Sequence, residues 1–265
     1  MSVVYGPVPS WRLGRSLGID PVSTRYKTCS FDCTYCQLGR TKHPLSKRKT
    51  FVQPQVLRSQ LEQVKGIEMD YVTFSGMAEP TLAANLAELV AVVRENLPGR
   101  PIAILTNSSL MPRPDMCYDL GLFDVVVTKV DAPNQELFAQ INRPFVKYSL
   151  DDILESIRRF RKEFAAKLAL QMMFIEENRE KAQEMAAIAR DLRPDEVQLN
   201  TPLRPCPMAP LSPTQMMEIE ASFEGLNVIN VYTSERPQVT PVDVAETRRR
   251  RPEQLQLGKQ NDRLR

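Results

Sequence analysis

From residue 51 onward the chain alternates between amphipathic helical segments and short segments rich in β-branched residues. Leu57, Leu61 and Val64 recur at helical spacing and predict a first helix. Residues 124–130 form a largely apolar run of the kind found in strands that are covered on both faces of a sheet. This order of elements is typical of an α/β fold with a parallel sheet.

About six βα units fit this pattern, which is too few for the closed eightfold barrel. Further helices are predicted over residues 83–96, 149–164 and 179–192. Further strands are predicted near residues 15–20 and over residues 71–75, 102–105, 168–175, 196–199 and 227–232. A chain of 265 residues can bury one large core, so we predict a single domain over residues 1–245.

Three cysteines, Cys29, Cys33 and Cys36, lie within eight residues of each other in the N-terminal part of the chain. Thiolates favour iron–sulfur clusters or zinc over harder cations. A closed structural zinc site takes four ligands, and cubane clusters are normally held by four cysteines. A compact set of three therefore predicts a cluster in which one iron is left open for another ligand.

The spacing Cys-x3-Cys-x2-Cys, with the aromatic Tyr35 before the last cysteine, is similar to the cluster loop of the radical S-adenosylmethionine (radical SAM) superfamily. Residues 6–18 and 37–41 resemble a branch that includes the radical enzymes of tRNA wybutosine synthesis and related uncharacterised iron–sulfur oxidoreductases. The resemblance implies an open, partial (β/α)6 TIM-like barrel and a [4Fe–4S] cluster on Cys29, Cys33 and Cys36. It also implies that SAM chelates the fourth iron and that Tyr35 lies against the adenine.

The resemblance places SAM contacts just after the predicted strands, where ligands bind in α/β sheets. Gly76, Ala78 and Glu79 resemble the Gly-Glu-Pro motif whose backbone binds the SAM amino group, although Ala78 stands where the branch commonly has Gly. Thr106 and Asn107 occupy a position that contacts SAM in the family. A turn or helix-cap cluster is the alternative interpretation of these two polar residues.

Two later strands also end in polar residues. Lys129 and Asp131 are two apart and share a face of their predicted strand. Because buried charges must be paired, they form either a salt bridge or a ligand-binding pair, and we favour ligand contact for Asp131. Gln198 and Asn200 share a face in the same way and are predicted to contact the cofactor.

The charge is unevenly distributed along the chain. Residues 246–265 carry seven Lys/Arg against three acidic residues, and they lack apolar periodicity, which predicts a basic C-terminal tail that is extended or disordered. A basic stretch over residues 40–49 directly follows the cysteines. It favours an anionic substrate or an anionic reductant near the site, and a solvated surface loop is the alternative.

The composition predicts a cytoplasmic protein, and the resemblance implies an enzyme that cleaves SAM reductively to a 5′-deoxyadenosyl radical, which abstracts hydrogen from a substrate. The branch favours an RNA base of tRNA or another anionic molecule, with a small metabolite or a peptide as the alternative. A low-potential donor such as flavodoxin or ferredoxin would supply the electron to a monomer or weak dimer. A non-catalytic iron–sulfur or zinc module is less favoured, because it would need a fourth ligand. No membrane span or export signal is visible, and the single His43 excludes a Ser-His-Asp site.

Overall fold

The computed structural model describes residues 2–253. An eight-stranded sheet forms its centre, and a two-stranded sheet lies beside it. The strands are β1 (Val4–Ser10), β2 (Gly14–Ile19), β3 (Thr28–Cys29), β4 (His43–Pro44), β5 (Tyr71–Phe74), β6 (Ile102–Leu105), β7 (Val125–Lys129), β8 (Lys167–Met173), β9 (Glu196–Asn200) and β10 (Val228–Asn230). The helices are α1 (Pro54–Glu62), α2 (Leu86–Asn96), α3 (Met116–Leu120), α4 (Gln135–Asn142), α5 (Leu150–Glu163), α6 (Ala182–Leu192), α7 (Pro213–Ala221) and α8 (Val244–Arg250).

The large sheet has the order β1-β2-β5-β6-β7-β8-β9-β10 and is parallel except for the antiparallel pair β1 and β2. It curls into a half-barrel whose two edges are β1 and β10, so the predicted open, partial barrel is confirmed. A short 3-10 helix at Pro80–Leu82 follows β5, and another at Arg179–Lys181 precedes α6.

Strand β1 is a difference from the sequence prediction, which begins the sheet near residue 15. Its segment contains Pro7 and Pro9, and proline lacks the N–H that an interior strand needs. The structure places β1 at the edge of the sheet, where it pairs with β2 alone. An edge strand tolerates these prolines, so a pattern that argues against an interior strand is compatible with this position.

The two faces of the sheet carry side chains of different size, because successive residues of a strand point to opposite faces. Ile102, Ile104 and Val126 pack in the main core together with residues of the outer helices. Ala103 and Ala169 lie in a small separate cluster with Leu13, Val125 and Val127. The small side chains of this cluster leave room for cavities inside the half-barrel.

Helix α8 corrects the prediction of an extended or disordered tail for residues 246–250. Asp243 caps this helix, and α8 packs against β1. The Arg250 side chain is fully buried, with its Nε 3.0 Å from Asp20 Oδ2 and its guanidinium carbon 5.1 Å from the ring centroid of Tyr5. This partner is far away in the sequence, so local patterning does not reveal it. Residues 254–265 of the predicted tail lie outside the described residues.

None of the helices in residues 2–253 is both long enough and apolar enough to cross a membrane.

Candidate active site

The cysteine loop follows β2 and is held against the end of α4 by its backbone. The Asp32 N–H donates to the Asn142 carbonyl at 3.0 Å, and the Thr34 N–H donates to the Ile141 carbonyl at 2.9 Å. All three predicted ligands, Cys29, Cys33 and Cys36, line one cavity of about 180 Å³ at the carboxyl ends of β6 and β7, which we call the thiol cavity. The thiols that the sequence singles out are thus brought together on the inner face of the half-barrel.

The donor set of this cavity fits an iron–sulfur cluster with one open iron. Its lining residues include no fourth cysteine and no histidine. Across residues 2–253, no group of three or more His, Cys, Asp or Glu side chains is arranged to hold a single metal ion. A four-ligand zinc site is therefore not built here, whereas three thiols spread around one cavity suit a multi-iron cluster.

Nitrogen donors approach two of the cysteine sulfurs. Asn107 Nδ2 lies 3.5 Å from Cys29 Sγ, and Asn142 Nδ2 lies 3.5 Å from Cys33 Sγ. Lys129 Nζ is 3.9 Å from the same Cys33 sulfur. Hydrogen bonds to cysteine sulfur are one of the means by which proteins set the potential of a cluster.

Cys29 is poorly suited to carry a charge by itself. Burial raises the pKa of the Cys29 thiol to about 12, and the neighbouring Cys33 and Glu79 act in the same direction. A thiol that binds a metal must be deprotonated, and the positive charge of the metal makes that possible. Metal binding and loss of the Cys29 proton are therefore coupled at this position.

Asp131 is enclosed by hydrogen-bond donors and does not line the cavity that contains the three cysteines. Its Oδ2 lies 2.9 Å from Lys129 Nζ and accepts hydrogen bonds from the Tyr35 hydroxyl and, at 2.7 Å, from Asn142 Nδ2. Its Oδ1 accepts from the Met173 N–H at 3.0 Å. The structure thus has the salt bridge given as the alternative, and the SAM contact of Asp131 stays a prediction.

The same network fixes Tyr35 and Lys129. The Tyr35 hydroxyl is bonded to Lys129 and Asp131, and burial together with the Asp131 charge raises its pKa well above the usual value. Burial alone would lower the pKa of Lys129, but the adjacent Asp131 and Cys33 charges raise it instead. Lys129 is therefore a fixed positive charge beside the cysteine loop.

Glu79 connects the loops that follow β5 and β6. Its Oε1 accepts from the Thr81 and Thr106 hydroxyls at 2.7 Å each, and its Oε2 accepts from the Asn107 N–H at 2.7 Å. Burial raises the pKa of Glu79, and these hydrogen bonds act against the rise. Thr106 and Asn107 line the thiol cavity, so Glu79 holds two predicted SAM-contact residues in place.

We expect Glu79→Gln to lower the free energy of unfolding by about 1–3 kcal/mol, the cost of one unsatisfied buried donor. The amide of glutamine cannot accept hydrogen bonds on both sides, so the Asn107 N–H or the threonine hydroxyls lose their acceptor. Urea denaturation measures the change. The matched control is Glu177→Gln at an exposed position, which should change stability by no more than about 0.5 kcal/mol. Equal effects of the two substitutions would contradict the role given to Glu79.

Gly76 and Ala78 lie on a segment that is pinned to the cysteine loop. The Glu79 N–H donates to the Thr28 carbonyl at 3.3 Å, and Ala78 forms a parallel bridge with Thr28. A Cβ atom at Gly76 would lie 2.2 Å from Cγ of Asp20, so only glycine permits this approach. Ala78 lines the thiol cavity, so its departure from the family glycine leaves the segment at the expected place.

A second cavity of about 230 Å³, which we call the larger cavity, adjoins the thiol cavity. The two share lining residues, including Tyr35, Cys36 and Ala78. Gly76 and Asn200 also line the larger cavity, as expected. Gln198 does not line either cavity, because its side chain is buried and its amide nitrogen donates to Glu196 at 2.8 Å. Asn200 thus lines a cavity and Gln198 does not, and the cofactor contacts of both residues stay predictions.

Sequence reasoning missed several residues of the two cavities. Lys27 and Gln171 line the thiol cavity, and Gln171 lies two residues before the end of β8, where strand-end reasoning could have found it. Three arginines that line the larger cavity, Arg12, Arg204 and Arg251, were also missed. The isolated Cys206 lines neither cavity, and its thiol is 3.2 Å from the Met208 carbonyl.

Several known proteins are similar to this chain in sequence or in fold. A UPF0026 protein of Synechocystis sp. is 39% identical over 211 residues, which is 77% of each chain. GTP 3′,8-cyclase of Edwardsiella ictaluri is 31% identical over 122 residues, covering 43% of this chain and 37% of the cyclase. A radical SAM methyltransferase from Sphaerobacter thermophilus has the same fold, with a TM-score of 0.62 at 16% identity over 81% of this chain and 65% of that structure.

The sequence model of the radical SAM superfamily matches residues 24–189. This match spans the cysteine loop and the elements from β3 to α6, which is more than half of the chain. The predicted superfamily is thereby confirmed, and the chain belongs to the radical SAM superfamily of enzymes.

Proposed function

We propose that Cys29, Cys33 and Cys36 hold a [4Fe–4S] cluster and that SAM binds where the two cavities meet. The observation that carries this proposal is the set of three thiols on one cavity whose lining lacks a fourth cysteine or histidine. When bound, the cluster and SAM would supply the reductive cleavage of SAM to methionine and a 5′-deoxyadenosyl radical that removes hydrogen from a second substrate.

The residues of the chain would bind and orient these groups. The backbone around Gly76 and Ala78 can approach an ammonium group closely, because it carries little side chain. Asn107 would stand beside Cys29 and keep its polar groups at the edge of the thiol cavity. Tyr35 lines both cavities, so its ring would separate the cluster side from the larger cavity.

The charge of Lys129 would offset the negative charge of the thiolate site. Its ammonium group is 3.9 Å from Cys33 Sγ and is held by Asp131 at 2.9 Å. Leu105 and Val127 supply apolar surface to the same cavity. An apolar wall excludes water from a reactive centre and so protects it from side reactions.

The second substrate remains part of the proposal. Membership of the wybutosine-like branch would favour an RNA base in tRNA, and a small metabolite or a peptide is the alternative. Two arginines of the basic stretch are already ion-paired, Arg40 with Asp32 at 2.9 Å and Arg48 with Asp115 at 2.7 Å. Three exposed lysines, Lys42, Lys47 and Lys49, would remain for phosphate contacts.

The RNA alternative has a direct test in the salt dependence of binding. If tRNA is the substrate, its affinity for the protein should fall steeply between low and high salt, since each phosphate contact releases counterions. Binding that is absent, or that salt leaves unchanged, would contradict an RNA substrate.

We also propose that the protein acts as a single-domain cytoplasmic monomer or weak dimer. A low-potential donor such as flavodoxin or ferredoxin would supply its electron.

The test of the radical chemistry is product formation. Anaerobically reconstituted protein, reduced with dithionite in the presence of SAM, should release 5′-deoxyadenosine and methionine in equal amounts. Omission of the reductant is the control and should give neither product. Reconstituted protein that binds iron but never forms 5′-deoxyadenosine, with or without candidate substrates, would contradict the proposed function.

A further inference from the structure

Three arginines from distant parts of the chain line the larger cavity. Arg12 precedes β2, Arg204 follows β9, and Arg251 follows α8. All three are half-buried, as is Arg236, whose charge acts on both Arg12 and Arg204. Three arginines therefore line one recess of about 230 Å³, and the charge of a fourth, Arg236, acts on two of them.

These arginines lack the acidic partners that such a group requires. Within residues 2–253, none of the four has a carboxylate oxygen within 4.0 Å of its side-chain nitrogens. The acidic residue whose charge reaches Arg12 is Glu196, and it is paired with Lys167 at 2.8 Å. The four arginines donate to neutral oxygens instead: Arg12 to the Gln171 amide, Arg204 to the Pro252 carbonyl, Arg236 to the Val231 carbonyl and Arg251 to the Ser75 hydroxyl.

One donor in the cluster is left without any acceptor. Arg12 Nε is buried and has no hydrogen-bond partner among the described residues. Burial lowers the pKa of Arg12 to about 9, and the positive charges of Arg251 and Arg204 contribute to the change. Burial and the Arg251 charge likewise lower the pKa of Arg204 to about 10. Because guanidinium groups stay protonated in proteins, these arginines remain positively charged in spite of their burial.

SAM itself does not supply this charge. It carries one carboxylate together with an ammonium and a sulfonium, so it adds positive rather than negative net charge to the site. A phosphate monoester carries nearly two negative charges at neutral pH, and the planar fork of arginine matches its oxygens. The recess is also small, which favours a terminal phosphate or diphosphate over a long polyanionic backbone.

We propose that the larger cavity binds the phosphate or diphosphate group of a small second substrate through Arg12, Arg204 and Arg251. This proposal rests on the proposed function, because it places that substrate beside the SAM site. It narrows the substrate from any anionic molecule to a phosphorylated small molecule. The arginines would bind and orient this substrate in the cavity that adjoins the thiols.

The test is the binding of inorganic pyrophosphate, measured by isothermal titration calorimetry on the reconstituted full chain with SAM present. We expect saturable binding at one site, and we expect Arg12→Gln and Arg204→Gln each to weaken it about tenfold or more, as the loss of a charge-assisted hydrogen bond requires. The matched control is Arg58→Gln, which removes the same charge from an exposed pair with Glu95 and should leave the affinity unchanged.

Four results would overturn the proposal. Pyrophosphate could fail to bind, or it could bind equally well to Arg204→Gln. Alternatively, the arginine substitutions could weaken only SAM binding, which would show that these arginines bind the SAM carboxylate. Finally, a short single-stranded RNA could bind in an Arg204-dependent manner where pyrophosphate does not, which would show that these arginines bind an RNA backbone.

Three further measurements keep these results interpretable. The melting temperature of each variant shows whether it is folded, and Arg204→Lys, which keeps the charge, should retain more affinity than Arg204→Gln. Formation of 5′-deoxyadenosine separates the two levels of the account. If SAM is cleaved but pyrophosphate does not bind, only this inference fails, whereas the absence of SAM cleavage contradicts the proposed function whatever pyrophosphate does.

Discussion

Replacing Cys33 with alanine is expected to abolish cluster assembly and with it all SAM cleavage. Loss of a residue that merely supports a metal ligand typically costs about 10–100-fold in metal affinity, so loss of a direct ligand should cost at least that much. Asn142 and Lys129, which approach the Cys33 sulfur, keep Asp131 as their nearer partner, so the substitution should act on the cluster rather than on this network. Iron and sulfide content after anaerobic reconstitution, together with the visible absorption of the cluster, measures the effect.

The matched control is Cys206→Ala, the same chemical change at a thiol that lines neither cavity. This variant should bind as much iron as the unaltered protein and release 5′-deoxyadenosine at a similar rate. If Cys33→Ala retained a full cluster, or if Cys206→Ala lost it, the assignment of the three ligands would be wrong.

Arg250→Gln is expected to give the largest loss of stability, about 3–5 kcal/mol in the free energy of unfolding. The side chains of Arg250 and Asp20 are 0% and 1% exposed, so removal of the cation leaves a buried carboxylate without its counter-charge. Asp20 also accepts from the Met77 N–H at 3.1 Å, directly beside Gly76. We therefore expect the loop that contains Gly76, Ala78 and Glu79 to lose order together with the C-terminal helix.

Urea denaturation of Arg250→Gln and Arg58→Gln measures this effect against a control with the same change in charge. The Arg58–Glu95 pair is 49% and 57% exposed, and exposed pairs contribute no more than about 1 kcal/mol. Similar midpoints for the two variants would show that α8 does not anchor the barrel. A shorter protein that ends before α8 should behave like Arg250→Gln.

Local patterning predicted those parts of the fold that depend on local interactions. The continuous apolar run of β7 and the amphipathic face of α1 both lie where the sequence indicated them. Strand β1 was missed because its prolines argue against an interior strand, and only its place at the sheet edge makes them acceptable. Helix α8 was missed because the buried partner of Arg250 lies more than two hundred residues away.

The candidate site shows the same contrast between features set by local sequence and features set by distant contacts. The cysteines lie in one short motif, and Thr106 and Asn107 directly follow a strand, so spacing and strand order could indicate that these residues lie near one cavity. Asp131 shows the limit of that reasoning, since the strand pattern shows a charge pair without showing whether its charge is already balanced. The arginines that line the larger cavity are scattered from residue 12 to residue 251, and only folding brings them together.

The central claim is that one iron of a three-cysteine cluster is open to SAM. The electron paramagnetic resonance spectrum of the reduced, reconstituted protein, recorded with and without SAM, tests this claim most directly. We predict that SAM changes the spectrum of the cluster and that SAM labelled with 15N at its amino group adds a nitrogen hyperfine coupling. A cluster whose spectrum is the same with and without saturating SAM would contradict the account.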